Sequence, residues 1–229
     1  MMCDRKDDSL PPSYYPICLD LRQQPCLVVG GGNVALRKVE GLLTADALVT
    51  VISPQVLTMP PSVTVLLREV TDDDIRHVTL VIAATDHHQL NAHIAEVARL
   101  RGILVNVVDA PQYCSFILPA VVRQGALQIA ISTGGASPTL ARKLRHELTQ
   151  AYGPEYGLLV NLLWQLRRKW EPCMDAIGLP HHQRRYLWEN VLQLPLLQVL
   201  RSDTISMAEQ LAQSLFDETI CEVDQRQDC

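Results

Sequence analysis

Between residues 26 and 109, short and almost wholly apolar runs alternate with segments that have the periodicity of amphipathic helices, 33–45 and 88–101. The β-like runs of this region are 26–30, 49–53, 63–70, 79–85 and 103–109, and a further short β-like run, 16–21, precedes it. Such runs without polar alternation indicate strands that are covered on both faces, as in parallel sheets joined by helices. The pattern therefore predicts an α/β fold with a doubly wound, Rossmann-like parallel sheet.

The first glycine-rich segment lies where the run 26–30 meets the helix-like segment that follows it. Gly30, Gly32 and Ala35 form the pattern G-x-G-x-x-A at this strand-to-helix junction. The first glycine allows a tight turn, the second lets the backbone approach a pyrophosphate, and the small third residue lets helix and strand pack closely. Free N–H groups at the start of the helix would face the anion. We predict a dinucleotide site here, and the alternative is a structural turn without a ligand.

The residues after the second β-like run of this unit bear on the choice of dinucleotide. An acidic residue about 20 positions after the glycines ordinarily holds the adenosine ribose of NAD. Here the run ends at Ser53 and is followed by Pro54 and Gln55, with neither an acid nor an arginine for a 2′-phosphate. This favours NAD over NADP, held by the backbone of Ser53 to Gln55 and by the Gln55 amide.

Polar residues follow the later β-like runs, where an open α/β sheet binds its ligands. Ala84 and Thr85 are expected to face the cofactor or the substrate. Asp109 ends a buried run and precedes a proline-containing loop, which suits an acid/base carboxylate as well as it suits a loop-capping aspartate. Cys114 is close enough in sequence to reach the same cleft, although a free cysteine is more often a small buried apolar residue.

The pattern changes after Phe116. Residues 119–133 predict two strands about a Gln-Gly turn, and helical periodicity then appears in 155–170, in 181–200 with a break at Pro195, and in 204–219. Between them, a second glycine-rich turn leads into a helix for which Ser137 is the expected N-cap. This turn can bind carboxylates through its N–H groups, or it is only a well-capped turn. Its candidate substrate-binding residues are Ser132, Thr133, Gly134, Gly135, Ser137 and Arg142.

Charge is distributed unevenly along the chain. The net charge is −5, yet residues 139–185 contain eight basic and four acidic side chains, which suits either a polyanionic small molecule or a solvated helix face. An acidic protein is a poor binder of nucleic acid. No metal site is predicted, because adjacent histidines such as His87 and His88, or His181 and His182, point apart. No apolar stretch is long enough for a membrane span or a signal peptide, so a cytoplasmic location is expected.

Five motifs that occur in order identify a resemblance to a known family. The chain resembles the precorrin-2 dehydrogenase / sirohydrochlorin ferrochelatase family of siroheme biosynthesis, including the N-terminal part of siroheme synthase. The likeness runs from about Tyr15 to Leu148 and continues more weakly to about residue 215. The motifs are GGGNVAxRK (30–38), AATDxxxLN (83–91), NVVDAP (106–111), SFIxPA (115–120) and STGGASPxLAR (132–142).

The resemblance implies NAD-dependent oxidation of precorrin-2 to sirohydrochlorin, a tetrapyrrole substrate that carries eight carboxylates. It also implies insertion of Fe²⁺, as a substrate, to give siroheme. Alternatives are a dehydrogenase without chelatase activity and a non-catalytic module that senses NAD(H). By position, the NAD contacts fall on Asn33, Val34, Pro54 and Gln55, and the functional aspartate on Asp109.

The resemblance further implies a homodimer, and together with the polar, proline-containing start of the chain it predicts a division into four parts. These are a flexible tail at 1–13, an NAD-binding Rossmann domain at 14–117, a dimerisation segment at 118–150 and a helical domain at 151–229. Thr133 stands where other members carry serine.

Overall fold

The structure is a computed structural model that describes residues 12–202 and 205–227. Almost all of the predicted tail at 1–13 lies outside the described residues. The chain divides into two compact units, one from Tyr15 to Leu118 and one that begins at Pro119. Each unit is described by itself below.

The first unit is built on a sheet of five parallel strands in the order β3-β2-β1-β4-β5. Helices α1 (Asn33–Leu43) and α2 (His88–Leu100) connect them, and one-turn 3-10 helices lie at Asp72–Ile75 and Pro111–Tyr113. The strands are β1 (Pro25–Val29), β2 (Leu48–Ile52), β3 (Thr64–Leu66), β4 (Leu80–Ala83) and β5 (Leu104–Val107). This arrangement confirms the predicted Rossmann-like parallel sheet.

Both faces of this sheet are covered, which explains why its strands have no polar alternation. Successive side chains of a strand point to opposite faces. Leu27 packs into a cluster with Ile94 of α2, whereas Val28 packs into a second cluster with Ala35 and Val39 of α1. The two clusters together form the core of the unit.

The prediction of a strand at 16–21 is wrong. These residues form no strand in the structure, and Ile17 and Leu19 are 63% and 42% exposed, while Leu21 is buried. The alternation of apolar residues imitates a strand, but no edge of the parallel sheet pairs with this segment. It is an extended lead-in to β1, closed by a turn in which the Gln24 N–H donates to the Leu21 carbonyl.

The second unit begins with an antiparallel pair, β6 (Ala120–Gln124) and β7 (Leu127–Ile131), which confirms the two strands predicted in 119–133. Only helices follow: α3 (Pro138–Ala151), α4 (Pro154–Ala176), α5 (His181–Gln193), α6 (Leu196–Ser202) and α7 (Ile205–Gln227). The break expected at Pro195 separates α5 from α6. Helix α4 extends beyond the expected end at 170 and includes Pro172.

The core of the helical part surrounds Trp170. This side chain is buried, and its ring stacks on that of Phe216 with centroids 4.6 Å apart. Arg184 of α5 donates from Nε to the carbonyl of Leu179, in the loop after α4, at 2.7 Å, and from Nη2 to the carbonyl of Met174, in the last turn of α4, at 3.1 Å. The role of Arg184 in the structure is therefore to hold α4 and α5 together.

Candidate functional site

The turn between β1 and α1 is formed by three glycines with different surroundings. Gly30 has φ +122°, and a Cβ built there would lie 2.3 Å from the Ala84 carbonyl oxygen. A Cβ on Gly31 would lie 1.9 Å from the Gln55 carbonyl oxygen, whereas a Cβ on Gly32 would meet nothing within 4 Å. The protein itself therefore excludes side chains at the first two positions and leaves open space at the third.

The start of α1 is not capped by a side chain. Gly32 is its N-cap, no side chain caps it, and no acidic residue lies in the first turn. The first N–H groups of a helix have no partner within the helix, and they attract anions. Asn33 is exposed and Val34 half-buried, while Ala35 is buried against the sheet. The turn thus offers backbone donors beside the open space at Gly32, an arrangement that fits a pyrophosphate.

Gly31 is a site residue that the sequence reasoning missed. The G-x-G pattern treats its middle position as free, but the Gly31 carbonyl accepts a hydrogen bond of 2.9 Å from the Leu57 N–H. This bond fixes the loop after β2 against the glycine turn. The only signal in the sequence was the third consecutive glycine.

The predicted cofactor-binding residues after β2 form the loop that the glycine turn contacts. Ser53 uses its hydroxyl to donate to the Gln55 carbonyl at 2.8 Å, so this hydroxyl shapes the loop. Pro54 and Gln55 are exposed. The Ser53 N–H donates to the Leu66 carbonyl at 3.2 Å, so among these groups the exposed Gln55 side chain stays available to a ligand.

Ala84 and Thr85 follow β4, between the ends of β1 and β5. Ala84 contributes the carbonyl that crowds Gly30. Thr85 is committed to the protein, because its hydroxyl donates to Oδ1 of the buried Asn91 at 2.7 Å and the Asn91 amide donates to the Thr85 carbonyl at 2.8 Å. Its hydroxyl also accepts the His87 N–H at 3.2 Å. Thr85 therefore holds the loop after β4, and its hydroxyl hydrogen is committed to Asn91.

Asp109 lies on the loop after β5 in an unusual backbone conformation. Its φ is +57°, in the left-handed region that residues other than glycine seldom adopt, and its side chain is exposed. Asparagine and aspartate tolerate this region best among side-chain-bearing residues. Strained or rare backbone conformations that persist are concentrated at functional sites. The end of β5 thus presents a carboxylate at the same edge of the sheet as the glycine turn, two strands away.

The sulfur of Cys114 holds the Asp109 loop together. It accepts the Val107 N–H at 3.2 Å, and the thiol is 3.3 Å from the Val107 carbonyl and 3.5 Å from the Ala110 carbonyl. The amide of the buried Asn106 donates to the same sulfur at 3.6 Å. Cys114 therefore acts neither as an inert apolar residue nor as a group that points into the cleft: it positions the loop.

Lys38 of α1 is a second residue of this region that sequence reasoning missed. Its side chain is half-buried, and burial, with the neighbouring Arg37 charge, lowers the pKa of its ammonium group, while the charges of Asp109 and Cys114 oppose that shift. No carboxylate lies within 4 Å of the Lys38 ammonium in residues 12–202 and 205–221. The helical periodicity of α1 placed Lys38 on an amphipathic helix, but only the fold brings it near Asp109.

The predicted substrate-binding residues lie in the second unit, so Asp109 and the Ser132–Ser137 turn belong to separate units. The Ser132 hydroxyl accepts the Gly134 N–H at 3.2 Å, and the Thr133 hydroxyl accepts the Ser137 N–H at 3.1 Å. Ser137 is the N-cap of α3, as predicted, and its hydroxyl accepts the Leu140 N–H at 3.2 Å. The hydroxyls of the turn thus accept two of its own N–H groups and one from the first turn of α3.

In the described part of the chain, no group of three or more His, Cys, Asp or Glu side chains is arranged to hold a metal ion. Nor does any described helix combine the length and apolar character that crossing a bilayer requires.

Two family models match consecutive segments of the chain. The model described as "Putative NAD(P)-binding" matches residues 17–120, and the model described as "Sirohaem biosynthesis protein central" matches residues 124–151. A siroheme synthase from Methylococcus capsulatus is 43% identical over 190 residues, which cover 80% of this chain and 39% of that protein. A siroheme synthase from Thioalkalivibrio sulfidiphilus is 40% identical over 195 residues, covering 82% of this chain and 39% of that protein. The chain is thus similar to siroheme synthases over about four-fifths of its own length.

The chain spans about two-fifths of the length of the siroheme synthases it matches. The glycine turn and Asp109 lie in the segment that the NAD(P)-binding model matches, and the Ser132–Ser137 turn with Arg142 lies in the segment that the sirohaem model matches. The candidate site residues therefore fall within the segments that the two family models match.

Among solved structures, a precorrin-2 dehydrogenase, SirC, has the same fold. The TM-score is 0.68 at 23% identity, and the match covers 90% of this chain and 98% of that protein. This likeness confirms the architecture predicted from the sequence, a Rossmann-like sheet, a small antiparallel sheet and a helical region.

Proposed function

We propose that this chain oxidises precorrin-2 to sirohydrochlorin with NAD as the oxidant. The observation that carries the proposal is the carboxyl edge of the sheet, where the uncapped glycine turn after β1 and the exposed Asp109 after β5 flank the end of β4. The choice of substrate is supported by the names of similar proteins, siroheme synthase and precorrin-2 dehydrogenase. The geometry supports two roles that the oxidation needs: binding of the NAD pyrophosphate by the glycine turn and removal of a proton by Asp109.

The residues that would hold NAD are those of the glycine turn and of the loop after β2. Backbone N–H groups at Asn33 and Val34 would face the pyrophosphate next to Gly32, and the Gln55 side chain would face the adenosine ribose. NAD rather than NADP is supported by the cations that follow β2: Arg68 is paired with Asp74 and Arg76 with Asp73. Neither guanidinium is therefore free to receive a 2′-phosphate.

NAD, when bound, supplies the acceptor for the hydride that leaves the substrate. The oxidation also releases a proton from the substrate, and we assign its removal to the Asp109 carboxylate. Asp109 is exposed and therefore accessible to the substrate. Cys114 holds the loop that presents the carboxylate.

The test supplies precorrin-2 and NAD and follows NADH absorbance. We expect Asp109→Asn to lower kcat by about 100-fold or more while leaving the Kd for NAD unchanged, because the base is lost and the cradle is intact. Asp46→Asn is a matched control, since Asp46 is also an exposed aspartate with a left-handed φ, +54°, but precedes β2 at the opposite edge of the sheet. Full activity in Asp109→Asn would remove Asp109 from the reaction. Tight NAD binding with no oxidation by the unmodified chain would favour an NAD(H)-sensing module instead.

A second activity, insertion of Fe²⁺ into sirohydrochlorin, is favoured by the name that the relatives share, because siroheme is the metallated product. The macrocycle itself provides four nitrogen ligands, so the chain needs only a base for the pyrrole protons, and Asp109 is our candidate. Incubation of sirohydrochlorin with Fe²⁺ or Co²⁺ in the absence of NAD should give the metallated product. Failure of insertion alongside normal oxidation of precorrin-2 would leave a dehydrogenase without chelatase activity.

We further propose that the chain acts as a homodimer through residues 118–150. The support is the match of residues 124–151 to the sirohaem central model, together with the outer edge of β6, which pairs with no strand in the described part of the second unit. Sedimentation of the purified chain should give twice the mass of a protomer, and a monomer at micromolar concentration would contradict the proposal.

A further inference from the structure

Asn106 is a buried polar residue in an otherwise apolar strand. It is the third residue of β5, and only 7% of it is exposed. Its partner across the sheet is Ile82 of β4, and its neighbours on the same face, Leu104 and Val108, pack into an apolar cluster. Burial of an amide among apolar side chains costs free energy unless its polar atoms are hydrogen-bonded. The packing of the strand therefore gives no reason for an asparagine at this position.

The amide of Asn106 is used by the loop that follows β5. Its Nδ2 donates to the Phe116 carbonyl at 3.1 Å and to the Cys114 sulfur at 3.6 Å. Both acceptors come after Asp109 in the sequence, whereas Asn106 comes before it. The two bonds therefore tie the end of the loop to the strand from which the loop starts, with Asp109 between them.

The same loop satisfies the outer edge of β5, which is an edge strand of the described sheet. The Val105 N–H donates to the Ser115 hydroxyl at 2.8 Å, and the Val107 N–H donates to the Cys114 sulfur at 3.2 Å. The Ser115 N–H donates back to the Val105 carbonyl at 2.8 Å. These groups take the place of the further strand that an edge otherwise lacks. We call Asn106, Cys114 and Ser115, with these bonds, the loop clamp.

Asp109 depends on the loop clamp because its own contacts do not fix its direction. Its φ of +57° is a rare conformation, which persists only where the surrounding structure determines it. No hydrogen bond or salt bridge joins the Asp109 carboxylate to another residue among residues 12–202 and 205–221. The backbone of the loop therefore decides where the carboxylate points, and the loop clamp decides the path of that backbone.

We infer that Asn106 is a positioning residue for Asp109. It does not touch the reacting atoms; its amide holds the loop in the geometry from which the Asp109 carboxylate removes the proton. The inference rests on the proposed function, because the direction of this carboxylate matters for catalysis only if Asp109 is the base. Displacing a reacting group by about 1 Å costs about 100-fold in rate, so a small relaxation of the loop has a measurable effect.

Asn106→Leu is the decisive variant. Leucine is close to asparagine in size and suits the apolar face of β5, but it has no donor for the Phe116 carbonyl or the Cys114 sulfur. Leu104→Ala is the matched control, since Leu104 lies on the same face of the same strand and its side chain makes no hydrogen bond. Circular dichroism confirms that each variant is folded, and Asn106→Ala replaces the leucine variant if that one does not fold.

The first measurement follows the loop without turnover, in the full chain and with no ligand added. N-ethylmaleimide labels the thiols, and peptide mass spectrometry reads the rate at each cysteine. We expect Asn106→Leu to raise the labelling rate of Cys114 by about tenfold, because the lost hydrogen bonds make local opening easier. Cys26, which is buried in the core, reports global unfolding and should label no faster. Leu104→Ala should leave the rate at Cys114 unchanged.

The second measurement uses precorrin-2 and NAD. Asn106→Leu should lower kcat by about tenfold or more, with the Kd for NAD unchanged because the glycine turn is not part of the loop clamp. The double variant Asp109→Asn/Asn106→Leu should be no slower than Asp109→Asn alone, since a displaced loop has no base left to misplace. Leu104→Ala should keep the kcat of the unmodified chain.

Three results would overturn the inference. Unchanged labelling of Cys114 in Asn106→Leu would show that Asn106 does not hold the loop. Losses of Asn106→Leu and Asp109→Asn that multiply in the double variant would show that Asn106 acts apart from Asp109. An equal fall of kcat in Leu104→Ala would reduce the effect to general destabilisation. If the unmodified chain oxidises no precorrin-2, the proposed function fails, and the labelling rates still decide whether Asn106 holds the loop.

Discussion

Two glycine-rich turns lead into helices in this molecule, and they differ in how the free N–H groups at the start of the helix are treated. The turn at Gly30–Gly32 enters α1 with a glycine N-cap and no side-chain cap. The turn at Ser132–Ser137 enters α3 with a serine N-cap whose hydroxyl accepts the Leu140 N–H. One turn leaves its backbone donors open, and the other closes them with its own side chains.

The difference shows that glycine content alone does not make an anion site. In the first turn, close backbone contacts exclude side chains and the donors face open space. In the second, a Cβ on Gly135 would meet nothing within 4 Å, but the Ser132 and Thr133 hydroxyls accept N–H groups of the turn itself. Backbone dipoles suit the pyrophosphate of a dinucleotide.

The largest expected effect is a difference in stability between alanine variants of Gly31, in the first turn, and Gly135, in the second. Gly31→Ala is expected to lower the free energy of unfolding by about 3 kcal/mol or more, because its Cβ would overlap the Gln55 carbonyl and the backbone must move. Gly135→Ala should cost only about 1–2 kcal/mol, the strain of a left-handed alanine, since its φ is +88° and the space around it is open. Denaturant unfolding of both variants measures the difference. Equal losses would show that packing does not distinguish the two turns.

A smaller effect should appear at Gly32 and should concern the ligand more than the fold. Its φ of −87° suits alanine, and a Cβ there meets no protein atom within 4 Å. We expect Gly32→Ala to change the free energy of unfolding by less than about 1 kcal/mol. The Kd for NAD should rise by roughly tenfold or more, because the methyl group occupies the space of the pyrophosphate. Unchanged NAD affinity by calorimetry would place the pyrophosphate elsewhere.

The smallest effect should come from the cap of the second turn. Ser137→Ala removes the hydroxyl that accepts the Leu140 N–H, and it should lower the free energy of unfolding by about 1 kcal/mol. Ser137→Asp should restore most of this loss, because aspartate is an equally good N-cap. Thermal unfolding of the pair isolates the cap from other roles of Ser137. If Ser137→Ala is as stable as the unmodified chain, the cap contributes nothing.

The sequence predicted the layered part of the fold well because burial leaves a clear pattern there. Runs such as 79–85 are apolar throughout, and the structure confirms β4 within that run. The prediction of a strand at 16–21 was wrong because alternating apolar residues form a strand only where a neighbouring strand pairs with them. That pairing depends on the whole sheet and is not visible in the segment itself. The extension of α4 past Pro172 also depends on packing, since Met174 beyond it is buried in the helical core.

The candidate site was predictable where a motif fixes the backbone and not where tertiary contacts decide. Gly30 and Ala35 have the packing roles that the motif assigns them. Gly31 and Lys38 were missed, because the first is crowded by a carbonyl 24 residues away in sequence and the second is near Asp109 only in the fold. For Thr85, hydrogen bonds to Asn91 revealed a structural use that spacing does not encode.

The three consecutive glycines are under different evolutionary constraints. Folding alone retains Gly30 and Gly31, because any side chain there collides with the Ala84 or Gln55 carbonyl. Folding places no such demand on Gly32, where the space is open. A descendant of this chain that kept its fold and abandoned its nucleotide would therefore lose the third glycine while the first two persisted.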